Sequence, residues 1–235
     1  MNSIQGQLLE MLRTVAVALG DDLRKRLVFV GGCTTAAFIT DPVTLEGVRA
    51  TDDVDLIVDL AGYAAWTRLQ HTLRERGFTE APDDKVICRM RLGELRVDFM
   101  PDDPDILGFS NRWYRTGIET AINYALEDGP DIRILTPPLF IATKLEAYYG
   151  RGENDLLGSR DAEDILLVVD GREELFDDIQ SAPEEVRTYI AAQFRTFMAE
   201  AGFDDFLEGN ILGPVGRSEL VYQRFLKISK PDSEA

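Results

Sequence analysis

The chain has little sulfur and almost no imidazole: two cysteines, Cys33 and Cys88, and one histidine, His71, in 235 residues. Two thiols are too few for a disulfide scaffold, and a reducing, cytoplasmic setting is the simplest reading. One histidine and two separated cysteines also argue against a zinc site. No run of eighteen apolar residues occurs, so neither a membrane span nor a membrane partner is expected. Residues 1–20 read as an amphipathic helix, without the basic start, apolar centre and small-residue cleavage site of a signal peptide. Positive charge is scarce, with 25 Lys and Arg against 42 Asp and Glu, a formal net charge of -17. Long-range attraction to nucleic acid or anionic lipid is therefore disfavoured, and a basic partner protein would be attracted. There are no internal repeats and no low-complexity segments.

What remains is an ordinary apolar content of 45%, enough for one large domain or two small ones. Ile4, Leu8, Leu9, Leu12, Val15 and Leu19 recur at helical spacing and mark a first helix ending near Gly20. Leu27–Val30 reads as a short strand stopped by Gly31-Gly32, and "CTTAAFIT" as a short helix opening after the glycines. Asp41-Pro42 breaks that helix, and a loop leads to Arg49. "VDLIVDL" is a second strand and "AGYAAWTRLQHTLRERG" an amphipathic helix, on which His71 takes a surface position. "KVICRMRLGELRVDFM" reads as a hairpin turning at Gly93-Glu94, and "IRIL" as one more strand. From Pro137 onward the pattern is helical, with Ser159 a candidate N-cap, and the tail from Lys230 reads as frayed. The expected fold class is α+β, a mixed sheet flanked by helices over residues 1–136 and a helical part over 137–235.

The chemistry sits in "GVRATDDVDLIVD". In a strand, Asp53 and Asp55 point to one face while Val54, Leu56 and Val58 point to the other. Two carboxylates roughly 6 to 7 Å apart repel each other unless a cation lies between them. Asp98, on the hairpin's second strand, can add a third. Carboxylate oxygens suit Mg²⁺, and three of them on adjacent strands can hold two metals for phosphoryl transfer. The alternative is an edge strand with both aspartates in solvent. Gly31-Gly32, between strand and helix, would let a phosphate approach the backbone, with hydroxyls of Thr34 and Thr35 nearby. A plain tight turn is the alternative there. Arg89, Arg91 and Arg96 gather on the hairpin, and Arg112 and Arg115 flank Trp113 and Tyr114, as a basic groove or as a mixed charged surface. Trp66, Trp113, Tyr148 and Tyr149 read as packing residues.

In order, "VGGCTTAAF", "RATDDVDLIV" and "ELRVDFM" resemble the nucleotidyltransferase superfamily with the polymerase-β-type fold. "TPPLFIATKLEAYYGRGENDLLGSRDAEDILLVV" resembles its AbiEii/MenT-like branch, which carries a helical Lys and then an R-D-x-x-D segment. The resemblance covers roughly residues 27 to 170. It implies that Asp53, Asp55 and Asp98 bind metal, with Asp98 also a candidate base on the attacking hydroxyl. It implies Lys144 near the triphosphate, Asp161 as the final carboxylate with Asp164 as fallback, and Gly31, Gly32 and Thr34 at the phosphates. Arg49 and Thr51 match the lead-in to the aspartates and would steady the loop or touch phosphate. For Lys144 the alternative is a solvated helix lysine. One position departs from the family: Cys33 stands where Ser or Thr usually follows the glycines, and a thiol is a weak donor. Nothing near it resembles an activating base, so a nucleophilic role is not expected.

The implied activity is Mg²⁺- or Mn²⁺-dependent transfer of a nucleoside monophosphate from a nucleoside triphosphate to an acceptor hydroxyl. The acceptor is an RNA or tRNA 3′ end, a protein side chain or a small molecule. In the toxin branch a cognate antitoxin is the expected partner. Two rivals remain: a non-catalytic nucleotide-binding or regulatory protein of the same fold, and an antibiotic-type small-molecule nucleotidyltransferase, which an acidic second pocket would favour.

Overall fold

The computed structural model describes residues 4–81, 84, 86–150 and 155–230. Within them the chain is α+β, with a six-stranded mixed sheet flanked by helices and a helical C-terminal region.

Helix α1 (Ile4–Arg24) buries Leu8, Leu12, Val15 and Leu19 as one stripe. Gly20 leaves helical geometry, with φ 64° and ψ 171°, and one more turn runs to Arg24 beyond the expected end. Strand β1 (Val28–Val30) follows. The short helix expected after the glycines is a 3₁₀ helix, Gly32–Phe38, which opens on the second glycine. Its first turn closes tightly, because both the amide and the hydroxyl of Thr34 donate to the Gly31 carbonyl, at 3.1 and 2.9 Å. Helix α2 (Pro42–Glu46) occupies the expected loop. The Asp41 carboxylate accepts from the amides of Val43 and Thr44, each at 2.9 Å, and Pro42 opens the first turn, so Asp-Pro starts a helix here.

Strand β2 (Asp53–Val58), helix α3 (Tyr63–Glu75) and strands β3 (Arg89–Leu92) and β4 (Leu95–Pro101) follow the sequence pattern, with Gly93-Glu94 as the hairpin turn. The hairpin's expected start at Lys85 lies outside the described residues. Helices α4 (Pro104–Leu107) and α5 (Tyr114–Thr120) and strand β5 (Ile122–Tyr124) are additions to that pattern, and β6 (Ile132–Ile134) is the strand at "IRIL". The helical region comprises α6 (Pro137–Gly150), α7 (Arg160–Gly171), α8 (Leu175–Gln180), α9 (Glu184–Met198), α10 (Phe203–Asn210) and α11 (Arg217–Ser229). Ser159 caps α7, its hydroxyl accepting from the Ala162 amide at 3.2 Å. The expected continuation through Arg151-Gly152 and most of the tail, residues 231–235, lie outside the described residues.

The chain forms two compact units. The first comprises Met1–Thr34 with Ala50–Thr136, and the second Thr35–Arg49 with Pro137–Ala235. In the first unit the strand order is β3-β4-β2-β1-β6-β5. β2 runs parallel to β4 and antiparallel to β1, which makes it a central strand. Val54, Leu56 and Val58 are buried on one face. Ile57 shares the aspartates' face but is buried by α5, where a Cβ on Gly117 would lie 3.5 Å from Ile57 Cδ1. The two ends of that face therefore differ: α5 covers Ile57, while Asp53 and Asp55 stay partly open.

In the second unit α6 has no polar face, and every residue from Pro137 to Leu145 is buried. Phe194 and Phe197 of α9 pack against Phe203, Phe206 and Phe225, with ring centroids 4.8 to 6.1 Å apart. Segment 35–49 joins this unit through its own bonds. The Thr44 hydroxyl donates to Asp170 at 2.7 Å, Arg217 ties Asp170 to Asp41, and Phe38 packs on Phe140 at 4.6 Å. Among the described residues no helix is long and apolar enough to cross a membrane.

Candidate functional site

Sheet register builds the carboxylate cluster of the first unit. Asp55 on β2 is the Cα partner of Asp98 on β4, and Asp53 lies two residues earlier on the same face. Asp53, Asp55 and Asp98 each bring an oxygen to within 4.8 Å of the others. Asp98 is buried, and Asp53 and Asp55 are half-buried. The alternative of two aspartates in solvent on an edge strand is excluded, since β2 has a neighbour on each side.

Three further residues shape the cluster. On β1, Val30 is the register partner of Asp55, and Gly31 follows at φ +76°. A Cβ on Gly31 would lie 1.9 Å from Asp55 Oδ2, so only glycine leaves room for that carboxylate. The Thr51 hydroxyl donates to Asp53 Oδ1 at 2.5 Å. Arg89, the Cα partner of Asp98 on β3, grips it with both arms: Nε to Oδ1 at 2.7 Å and Nη2 to Oδ2 at 2.8 Å. The same Nη2 lies 3.6 Å from Asp53 Oδ2. The Asp98 bond holds the guanidinium pKa above its ordinary value, against the opposing pull of burial.

The glycine turn is arranged for close packing. Gly31 and Gly32 are half-buried, and residues 33–36 are buried. The Cys33 thiol turns back to donate to the Val30 carbonyl at 3.3 Å, and the Thr34 hydroxyl is given to Gly31. Thr35 is fully buried.

Lys144 belongs to an ionic network within the second unit. Its ammonium lies 3.0 Å from Asp161 and 2.7 Å from Asp164, and all three residues are buried. A solvated helix lysine is therefore excluded. Arg49 joins at 3.1 Å from Asp164 and 3.4 Å from Glu163. Burial alone would lower the lysine pKa, but Asp164 and Asp161 outweigh it and hold the group above its ordinary value. Asp161 and the fallback carboxylate Asp164 thus share one cation.

The other hairpin arginines pair away from the cluster: Arg91 with Asp84 at 2.8 Å and Arg96 with Asp52 at 2.6 Å. Arg112 lies over the Trp113 ring at 4.8 Å, and Arg115 pairs with Asp102 at 2.7 Å. This is a mixed charged surface, not a basic groove. Trp66, Trp113 and Tyr148 are buried, and the hydroxyls of Tyr148 and Tyr149 both donate to Glu200. His71 is exposed beside Glu75. In the second unit an open cleft of about 460 Å³ is lined by Asp204, Glu208 and Glu219 with Leu207, Ser218 and Tyr222.

The donor set fits a hard divalent cation: three carboxylates, all oxygen, with the Arg89 guanidinium paired to Asp98 and near Asp53. The space that Gly31 leaves for Asp55 supports the same conclusion. Sequence reasoning missed the roles of Arg89 and Thr51 in holding the carboxylates. The hairpin supplies a signal for Arg89: pairing Leu92 with Leu95 around Gly93-Glu94 sets Arg89 opposite Asp98. No protein-family model matches the chain, and no curated protein matches it.

Proposed function

We propose that the chain is a metal-dependent nucleotidyltransferase that moves a nucleoside monophosphate from a nucleoside triphosphate to an acceptor hydroxyl. The observation that carries this reading is the convergence of Asp53, Asp55 and Asp98 on adjacent parallel strands, beside a glycine turn that makes room for Asp55. Asp53, Asp55 and Asp98 would hold Mg²⁺ or Mn²⁺, which when bound neutralises phosphate charge and polarises the reacting phosphorus. With the Thr34 hydroxyl committed to Gly31, the half-buried backbone of Gly31-Gly32 is the part of the turn assigned to the triphosphate. Thr51 fixes Asp53 and Arg89 fixes Asp98, so the carboxylates are oriented before substrate arrives. Asp98 accepts the proton of the acceptor hydroxyl. The acceptor oxygen then bonds to the α-phosphorus, and the bond to pyrophosphate breaks. Lys144 is assigned to holding Asp161 and Asp164 in place within the second unit, with Arg49 a further cation of the same network.

An RNA end gains nothing from the hairpin arginines, which are paired with carboxylates. In an RNA-modifying toxin the partner would be an antitoxin, and the setting would be cytoplasmic. The test is transfer of α-phosphate label from each nucleoside triphosphate into RNA, protein and metabolite fractions. Label should appear in one fraction and vanish when Asp53→Ala and Asp55→Ala are combined. No transfer by wild type, or equal transfer by the double variant, refutes the enzyme and leaves a nucleotide-binding protein.

A further inference from the structure

The carboxylate cluster already contains a cation of its own. Arg89 is placed by strand register, not by a flexible loop, and it is largely buried. Its two arms engage both oxygens of Asp98, and one arm also faces Asp53 at 3.6 Å. A side chain held at two points on one carboxylate and near a second is not a surface ion pair. Each Asp98 oxygen still keeps a lone pair for another partner. A metal ion entering the cluster therefore meets carboxylates in position and a fixed positive charge a few ångströms away. The first effect favours binding and the second opposes it, and in a partly buried site the repulsion of two such cations is large. A triphosphate reverses the balance, because it brings several negative charges that both cations can share.

We propose that Arg89 is a resident counter-ion that partly neutralises the free cluster and makes tight binding of the divalent metal depend on the triphosphate. This rests on the nucleotidyltransferase reading and adds an order to it: nucleotide and metal enter together, not metal first. Arg89 acts through Asp98 and Asp53 as a positioning residue. Arg91 and Arg96, from the same hairpin, pair with Asp84 and Asp52 and have no such part.

The experiment is equilibrium Mn²⁺ binding to the full chain, with and without a non-hydrolysable nucleoside triphosphate. Wild type should bind Mn²⁺ weakly alone and at least about tenfold more tightly with the analogue. Arg89→Gln should bind Mn²⁺ alone at least about tenfold more tightly than wild type, while its metal-free melting temperature falls. Arg96→Gln, a control on the same hairpin, should match wild type in both. Equal Mn²⁺ affinity in Arg89→Gln and wild type overturns the counter-ion role and leaves label transfer to decide the enzyme reading. Absence of Mn²⁺ binding in every protein, with or without nucleotide, overturns both. A second measurement needs wild type alone, in case Arg89→Gln does not fold. Mn²⁺ by itself should barely raise the melting temperature, and Mn²⁺ with the analogue should raise it clearly. An equal rise with Mn²⁺ alone overturns the proposal.

Discussion

Gly31 and Asp55 share one space: a Cβ on Gly31 would lie 1.9 Å from Asp55 Oδ2. Gly31→Ala must therefore displace the carboxylate as well as strain the backbone at φ +76°. Gly62 is the natural control, since its φ is +82° and a Cβ there meets nothing within 4 Å. Both variants should lose about 1 to 3 kcal/mol in urea unfolding. With the triphosphate analogue present, only Gly31→Ala should lose Mn²⁺ affinity, by about tenfold or more. Wild-type Mn²⁺ affinity in Gly31→Ala would contradict the shared-space account.

Thr51 offers a subtler test of the same geometry. Its hydroxyl donates to Asp53 Oδ1, so Thr51→Val keeps the shape and removes the bond. Mn²⁺ affinity in the presence of the analogue should fall by about tenfold, and Thr51→Ser should restore it. A valine variant as tight as wild type would show that the bond does not orient Asp53.

Lys144 stands between two buried carboxylates. Lys144→Met leaves Asp161 and Asp164 without their ammonium and should cost about 3 to 5 kcal/mol, read from urea unfolding. Adding Asp161→Asn should recover part of that loss, since one of the two buried negative charges goes with it while Arg49 still faces Asp164. A cost below about 1 kcal/mol for Lys144→Met would mean that the network is not holding the second unit together.

Alkaline pH should weaken the fold. Burial pushes the Cys88 thiol up to about 12, with Asp98 adding to the effect. A folded thiol that keeps its proton while the unfolded one loses it makes the unfolded state the poorer proton binder, so stability falls as pH rises. The window for Cys88 runs from roughly pH 8.5 to 12. Lys144, Tyr148 and Tyr149 are also raised and act with the same sign at higher pH. Urea midpoints should drop steadily above pH 9. Cys88→Ala should flatten the slope by up to about 1.4 kcal/mol per pH unit in that window. An unchanged slope would mean that Cys88 does not hold its proton in the fold.

Much of the site was legible because period-two alternation needs no tertiary knowledge. It assigned Asp53 and Asp55 to one face of β2, and the Gly93-Glu94 turn assigned Asp98 to a strand. The burial of Lys144 between Asp161 and Asp164 was not read from the sequence, where it stood near the triphosphate or in solvent; its two partners lie on another helix, 17 and 20 residues on. Other features depended on long-range contacts. The three-residue strand β5 exists by pairing with β6, and Ile57 is buried on the aspartates' face because α5 covers it. Asp41-Pro42, read as a break into a loop, starts a helix instead, because the Asp41 carboxylate caps it. Segment 35–49 carries no compositional mark of its place in the second unit. Its bonds to Asp170 and Arg217 span more than a hundred residues of sequence.

The most direct test of nucleotidyl transfer follows two labels through one reaction. A nucleoside triphosphate labelled at the α-phosphate or at the γ-phosphate is incubated with the chain, Mg²⁺ and the fraction that holds the acceptor. The account predicts α-label in the acceptor and γ-label in released pyrophosphate, one per transfer, with both lost in Asp55→Asn. Label from the γ-phosphate in the acceptor, or α-label transfer that survives Asp55→Asn, would contradict it.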